Sequence, residues 1–302
     1  GTIAQGVGAK QVNSLGEIYE NKYGLTTSQR VYGTVRENIE GRGPCYLRTE
    51  GITPEQDDSL KRAYLNMAPS QTLKWLESGK NPSEQNVEIE GTEPYIVGGH
   101  TASGYWVDND RESTIHGLFA AGDVAGGCPQ KYVTGAMVEG EIAAIAMVKQ
   151  LDEGYTEPEL DEETAFDRKI EEYDHFLDTD EKMFTYEAIE EAMQKVMDNY
   201  AGGISTHYQF NEKQLELAKE KIEQLQKLVW HISAHDMHEL MFVYEVKERL
   251  TVALSVIAHL KDRKETRWHS FAENLDYPEK SKDWEIFVNS KMVDGELKMI
   301  HR

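Results

Sequence analysis

The sequence predicts an α+β fold, in which a partial α/β region precedes a mostly helical C-terminal half. Three observations point there. Short β-prone runs alternate with helical patterns up to about residue 150. The stretch from Gly117 to Gly140 reads as strand end, glycine loop and helix start in direct succession. From residue 162 onward, apolar residues recur at helical spacing with almost no strand signal.

Residues 1–24 are glycine-rich and mixed. Gly6-Val-Gly8-Ala-Lys-Gln11 begins like a dinucleotide loop, but Gln11 stands where the third glycine belongs and no apolar strand precedes it, so we read it as a false match. The chain starts without Met and in mid-pattern, which suggests a fragment of a longer protein. A helix is predicted over 27–40, capped by Thr27 or Ser28, with Val31, Val35 and Ile39 on one face and Gly41 as its stop. Arg42-Gly43-Pro44 makes a turn into a short strand, Cys45 to Thr49. Thr53-Pro54 starts a second helix, with proline at the first helical position. A third is expected around 69–78, with Ser70 as a candidate cap. Strands are expected at 86–90, 94–97 and 105–107, then a short buried one from Leu118 to Ala121. A helix runs from near Thr134 to about Leu151, and an acidic segment with Gly154 and Pro158 separates it from the rest.

Beyond that segment, helical stripes cover 163–176, 186–200, 211–230 and 236–261, with Gly202-Gly203 stopping the second. The tail, 263–302, mixes aromatic and polar residues without clear periodicity, as in a segment laid over another surface. His235 and His238 are three apart and do not form the HExxH pattern, so no metal site is expected.

Composition bounds the function. The 302 residues carry a formal net charge of −22. After position 150 there are 35 acidic against 19 basic residues, so the helical half holds most of the excess. A field of that sign argues against nucleic acid and anionic membranes, and an anionic substrate needs a locally basic pocket. No apolar run is long enough to span a bilayer. Two cysteines make no disulfide framework, and a reducing, cytoplasmic setting is the default.

No Ser/His/Asp elbow, P-loop or CxxC pair appears. The chain offers Arg42, His100 and Lys131, each beside glycines or in a glycine-rich loop, together with Asp123 and the helix start at Thr134. An arginine between two glycines either sits on a surface turn or points into a cleft, and the sequence leaves both open. His100, after two glycines at a strand end, is similarly open between a structural and a ligand-facing role. Backbone amides at a helix N-terminus favour negative charge, and cations gathered there suit an anionic substrate beside an electron-rich cofactor.

The stretch Gly117-Leu-Phe-Ala-Ala-Gly-Asp123 resembles the C-terminal flavin-binding signature of the fumarate reductase/succinate dehydrogenase flavoprotein superfamily. Glu93 to Val107, with His100, resembles the segment before it, which carries a substrate-facing histidine. Glu40-Gly-Arg42-Gly-Pro44 is similar to the capping-domain turn with an active-site arginine. Ala192 to Gly203, Asp236 to Leu240, Glu265-Thr-Arg-Trp268 and Phe287-Val-Asn-Ser290 resemble the C-terminal helical domain of adenylylsulfate-reductase-type α subunits. The resemblance implies FAD, an iron–sulfur β subunit, and two-electron reduction of adenylylsulfate to AMP and sulfite. It implies a capping-domain remnant over 1–90, the C-terminal part of the FAD-binding domain over 91–152 and a helical domain over 153–302. Gly122 and Asp123 would meet the sugar side of the flavin. Thr134, Gly135, Ala136 and Met137 would face its O2/N1 edge, and Arg42, His100 and Lys131 would bind the anionic substrate.

Two departures accompany the resemblance. The family's GxGxxG unit, which holds the ADP half of FAD, is not in this sequence. Gln130 stands where the family often has a histidine, so no proton or charge is available there and Lys131 is the loop's cation. The alternative is a fumarate-reductase-like flavoprotein acting on a dicarboxylate, but that group usually places Arg after Asn at this loop. A third reading is a non-catalytic helical piece that docks a partner subunit.

Overall fold

The structure, a computed structural model, describes residues 2–91, 103–127, 133–156, 162–178, 183–267 and 269–302. It divides into two compact units, Gly1–Pro94 with Trp268–Glu273, and Tyr95–Arg267 with Asn274–Arg302.

The first unit is built on a three-stranded antiparallel sheet of β1 (Lys10–Val12), β2 (Cys45–Arg48) and β3 (Val87–Ile89), with β2 in the centre. Gln11 pairs with Leu47, and Cys45 with Ile89. The period of two turns Cys45 and Leu47 inward. Around the sheet lie α1 (Thr2–Gly6), α2 (Glu20–Tyr23), α3 (Thr27–Ile39), α4 (Pro54–Met67) and α5 (Pro69–Ser78). Ala4, Ala9, Leu47, Leu60 and Trp75 form the core. Gly6 ends α1 instead of following a strand, in keeping with the rejected dinucleotide loop.

The helix starts follow local chemistry. Thr26, one residue before the expected cap, accepts from Gln29 N while Gln29 returns a bond to the Thr26 amide. Thr53 and Gln56 make the same box at α4, with Pro54 at the first position. At α5 the expected Ser70 cap gives way to Ala68, because Pro69 already occupies the first helical position.

The second unit contains α6 (Val133–Asp152), α7 (Glu162–Leu177), α8 (Tyr186–Tyr200), α9 (Glu212–Leu228) and α10 (Met237–Asp262). Leu240, Val243, Val246, Leu250, Ala253 and Ile257 make the buried stripe of α10. It packs with Ile189, Met193 and Val196 of α8 and Leu215, Ala218, Ile222 and Leu225 of α9. The motifs singled out in this half have structural reasons. Asp236 caps α10, accepting from His238 N at 2.9 Å and Glu239 N at 2.8 Å. Gly202, at φ 77°, closes α8 in the left-handed region. The Glu265 carboxylate is fully buried between Arg263 and Arg267, at 2.7 and 2.6 Å. The tail is more regular than its sequence: β4 (Val288–Val293) and β5 (Glu296–His301) form an antiparallel hairpin. It packs on α10, with His259 Nε2 3.0 Å from Ser290 Oγ.

Where α7 meets α10, Lys247 and Lys169 both pair with Glu172. Burial works to raise the Glu172 carboxyl, but the two ammonium groups overcome it and hold it at about 2, below its ordinary 4.5. A carboxyl depressed on folding stabilises the fold above its ordinary value, and that contribution is lost as pH falls from 4.5 toward 2. Glu172→Gln is expected to lower stability by about 2 kcal/mol at pH 7. Thermal unfolding at pH 7 and pH 3 checks this, since the gap from wild type should shrink at pH 3.

Among the described residues, no helix is long and apolar enough to cross a membrane. No group of three or more His, Cys, Asp or Glu among them could hold a metal. Burial pushes the Cys45 thiol up to about 11, which keeps it protonated and unreactive.

Candidate functional site

In the second unit the site begins with a close backbone approach. Tyr105 N donates to Val124 O at 2.7 Å, and Gly126 N to Tyr105 O at 2.8 Å. A side chain at Gly104 would stand 2.6 Å from Val124 O, so glycine is required there. Gly122–Val124 forms a single tight turn. Gly122 has φ +75°, and a Cβ on it would stand 3.1 Å from Ala136 Cβ. The turn carrying Asp123 is thereby set against the first turn of α6, which contains Thr134, Gly135, Ala136 and Met137. No acidic residue lies in that first turn. The structure thus brings together the six expected cofactor-binding residues: Gly122 touches Ala136, Asp123 follows it on an exposed turn, and Met137 is 70% exposed.

The expected strand at Leu118–Ala121 is not formed. Among the described residues this run makes a single bridge, Phe119 with Glu112, closed by Ala120 N to Arg111 O and Ser113 N to Leu118 O, while Leu118 N bonds Ile115 O in a local turn. Tyr105 and Val107 likewise make single bridges. A β-prone run becomes a strand only where a second run satisfies its backbone groups along its length.

Two carboxylates not singled out from the sequence, the half-buried Glu112 and the buried Glu139, organise this region. Glu112 accepts from Gly117 N at 2.7 Å and Gln150 Nε2 at 2.8 Å, and lies 2.8 Å from His116 Nδ1. The Gly117 amide, then these neighbours, hold its carboxyl below the usual range. Glu139 of α6 accepts from Gly122 N at 2.9 Å and faces Arg111 Nε at 3.4 Å. A mid-helix glutamate soon after a glycine loop was the available signal for Glu139.

Arg42 lies in the first unit. Gly41, at φ +75°, ends α3 in the left-handed conformation. Gly41 N then bonds Asn38 O and Arg42 N bonds Glu37 O, the paired bonds of a Schellman motif. That reversal lays Arg42 back on Glu37. Its Nε and Nη2 reach the Glu37 oxygens at 2.5 and 2.6 Å, and Nη2 also pairs with Glu40. The Glu37 side chain is 2% exposed and also accepts from Asn13 and Tyr23. Arg42 foremost, with burial opposing it, holds the Glu37 carboxyl at about 2. Arg42 is therefore a guanidinium oriented by a buried carboxylate, not a mobile surface side chain. Gln130, Lys131, Cys128 and His100 lie outside the described residues.

No family model matches the chain. It is 28% identical, over 326 aligned positions, to the adenylylsulfate reductase subunit alpha of Megalodesulfovibrio gigas, covering 90% of this chain and 48% of that protein. It superposes on the adenylylsulfate reductase structure from Archaeoglobus fulgidus with a TM-score of 0.83 and 30% identity, over 98% of this chain and 55% of that one. The chain is a homologue of adenylylsulfate reductase α subunits. An uncharacterized FAD-dependent oxidoreductase of Methanocaldococcus jannaschii is 30% identical over 67% of this chain and 37% of its own length. The E. coli quinol fumarate reductase superposes with a TM-score of 0.77 at 16% identity, over 99% of this chain and 55% of that one, a likeness of fold. The chain spans about half the length of the adenylylsulfate reductase subunits it matches.

Proposed function

We propose that this chain is part of the flavoprotein subunit of an adenylylsulfate-reductase-type enzyme, which binds FAD and interconverts adenylylsulfate with AMP and sulfite. The observation that carries the reading is the cradle in which Gly122 and Asp123 abut the acid-free N-terminal turn of α6. It fits a flavin: Gly122 leaves no side chain in the way, Asp123 offers a carboxylate to sugar hydroxyls, and the Thr134–Met137 amides favour negative charge at the ring edge. FAD, when bound, supplies the two-electron exchange.

The chain's own residues supply recognition. Arg42, His100 and Lys131 are the cations proposed to bind the anionic substrate and to stabilise negative charge that develops as the sulfur–oxygen bond breaks. Glu37 keeps the Arg42 fork in one orientation. Gln130 cannot carry a proton, so in this reading Lys131 is the loop's only charged donor. The proposed division has a capping region over 1–90, a flavin-binding segment over 91–152 and a helical domain over 153–302. Val133, Met137, Val138, Ile145, Val148 and Leu151 leave much of α6 apolar and exposed. Such a surface suits coverage by the dinucleotide-binding unit that the homologues' greater length accommodates. An iron–sulfur β subunit as electron partner and a cytoplasmic location complete the proposal.

The test uses the full-length protein. A flavin absorbance spectrum, with acceptor reduction that requires both sulfite and AMP, is the expected result. Acceptor reduction by succinate and not by sulfite plus AMP would instead establish the dicarboxylate alternative.

A further inference from the structure

We propose that Glu139 is a positioning residue for the cofactor turn, acting through the Gly122 amide. This rests on the flavin reading above. Glu139 lies in the second turn of α6, two residues beyond the segment proposed to face the flavin edge, yet it is only 7% exposed. Its two oxygens have separate duties. One accepts the Gly122 N–H at 2.9 Å. The other faces Arg111 Nε at 3.4 Å.

The carboxylate therefore joins three pieces of chain that are distant in sequence. The first is α6 itself. The second is the Gly122–Val124 turn, which contains Asp123. The third is the tight segment around Arg111, which sits at φ 70° and donates Nη1 to the Asp108 and Asn109 carbonyls at 3.1 and 3.2 Å. Arg111 O in turn accepts from Ala120 N at 3.0 Å, two residues before Gly122. A buried carboxylate is costly unless it is paired, and here its partners are a guanidinium and the amide that sets the direction of the Asp123 backbone. Close contact alone cannot hold this turn, because Ala136 only prevents Gly122 from moving inward. The Glu139 hydrogen bond prevents it from moving away. Together they set the distance between Asp123 and the α6 amides, the two proposed contacts for one ligand.

The experiment is FAD binding to the full-length apoprotein, followed by flavin fluorescence and by the visible circular dichroism of the bound flavin. Glu139→Ala leaves the Gly122 amide without its acceptor and is expected to weaken FAD about tenfold or more, with an altered visible dichroism. Glu139→Gln keeps an acceptor of the same shape but not the charge, and is expected to lie within about threefold of wild type. Leu250→Ala, buried in α10 and remote from the turn in sequence, serves as a destabilised control with wild-type FAD affinity. Wild-type affinity and dichroism in Glu139→Ala would overturn the proposal. So would equal weakening by Glu139→Ala and Leu250→Ala, since only loss of general stability is then at work. If the alanine variant does not fold, Glu139→Gln decides: a loss well beyond threefold in a folded protein contradicts rescue by shape. If the wild-type protein binds no flavin, it is the functional reading that fails, not this one.

Discussion

Arg42→Ala in the full-length protein is expected to lower turnover about 10²–10³-fold while FAD stays bound. The size follows from removing a charged donor that the proposed reading sets against developing negative charge. Retention of flavin follows from the placement of Arg42 on the α3 turn, outside the segment proposed to hold the cofactor. Steady-state acceptor reduction with sulfite and AMP, beside the flavin-to-protein absorbance ratio, checks both halves. Near-wild-type turnover would remove Arg42 from the site. The substitution also removes the guanidinium from Glu37, whose buried carboxylate keeps Asn13, Tyr23 and Lys22 as partners among the described residues. Thermal stability should therefore fall most above pH 4.5, the ordinary carboxyl value, and recover as acid neutralises Glu37. Arg42→Lys is not a conservative change here, because a point charge cannot reproduce two parallel bonds to one carboxylate.

The second large effect is expected at Gly122. Alanine there meets two penalties at once. The backbone sits at φ +75°, where an L side chain costs about 1–2 kcal/mol, and the new Cβ lies 3.1 Å from Ala136 Cβ. Either the turn or the start of α6 must move, and the two proposed flavin contacts separate. FAD affinity is expected to fall at least about tenfold. Gly154→Ala is the matched control. Gly154 also has a left-handed backbone, at φ +92°, but nothing lies within 4 Å of its Cβ position. It should lose stability through the backbone term and keep its flavin. Equal FAD affinity in the two variants would mean that the Gly122 contact with Ala136 does not shape the site.

Much of the secondary structure was legible in the residues. The helix starts at Thr26, Thr53, Asn211 and Asp236 lie within a residue or two of where their polar side chains and following pattern placed them. Capping depends on side chains two or three positions from the amides they satisfy, so the information is local. The stripes of α8, α9 and α10 were equally clear, because a 3.6-residue period survives any choice of partner. The C-terminal hairpin was not. Its first strand mixes intermediate and exposed positions without alternation, and only Glu296 to Met299 of the second shows a period of two, too short a stretch to mark a hairpin.

Of the candidate site, residue types were readable and geometry was not. Glycine at 122 and an acid at 123 declared a turn near a helix start. That Gly122 rests on Ala136, and that Glu139 holds it there, depends on residues 14 to 17 positions away meeting in space. Arg42 shows the same division at shorter range. The sequence by itself determined the glycine stop at Gly41 and the arginine after it, because a left-handed helix end needs a residue without a Cβ. Only the tertiary structure decided that the guanidinium turns onto Glu37. Burial of that carboxylate by Asn13, Tyr23 and the packed α3 face makes an unpaired charge too costly, and no reading of neighbours along the chain shows which side chains will lose their water.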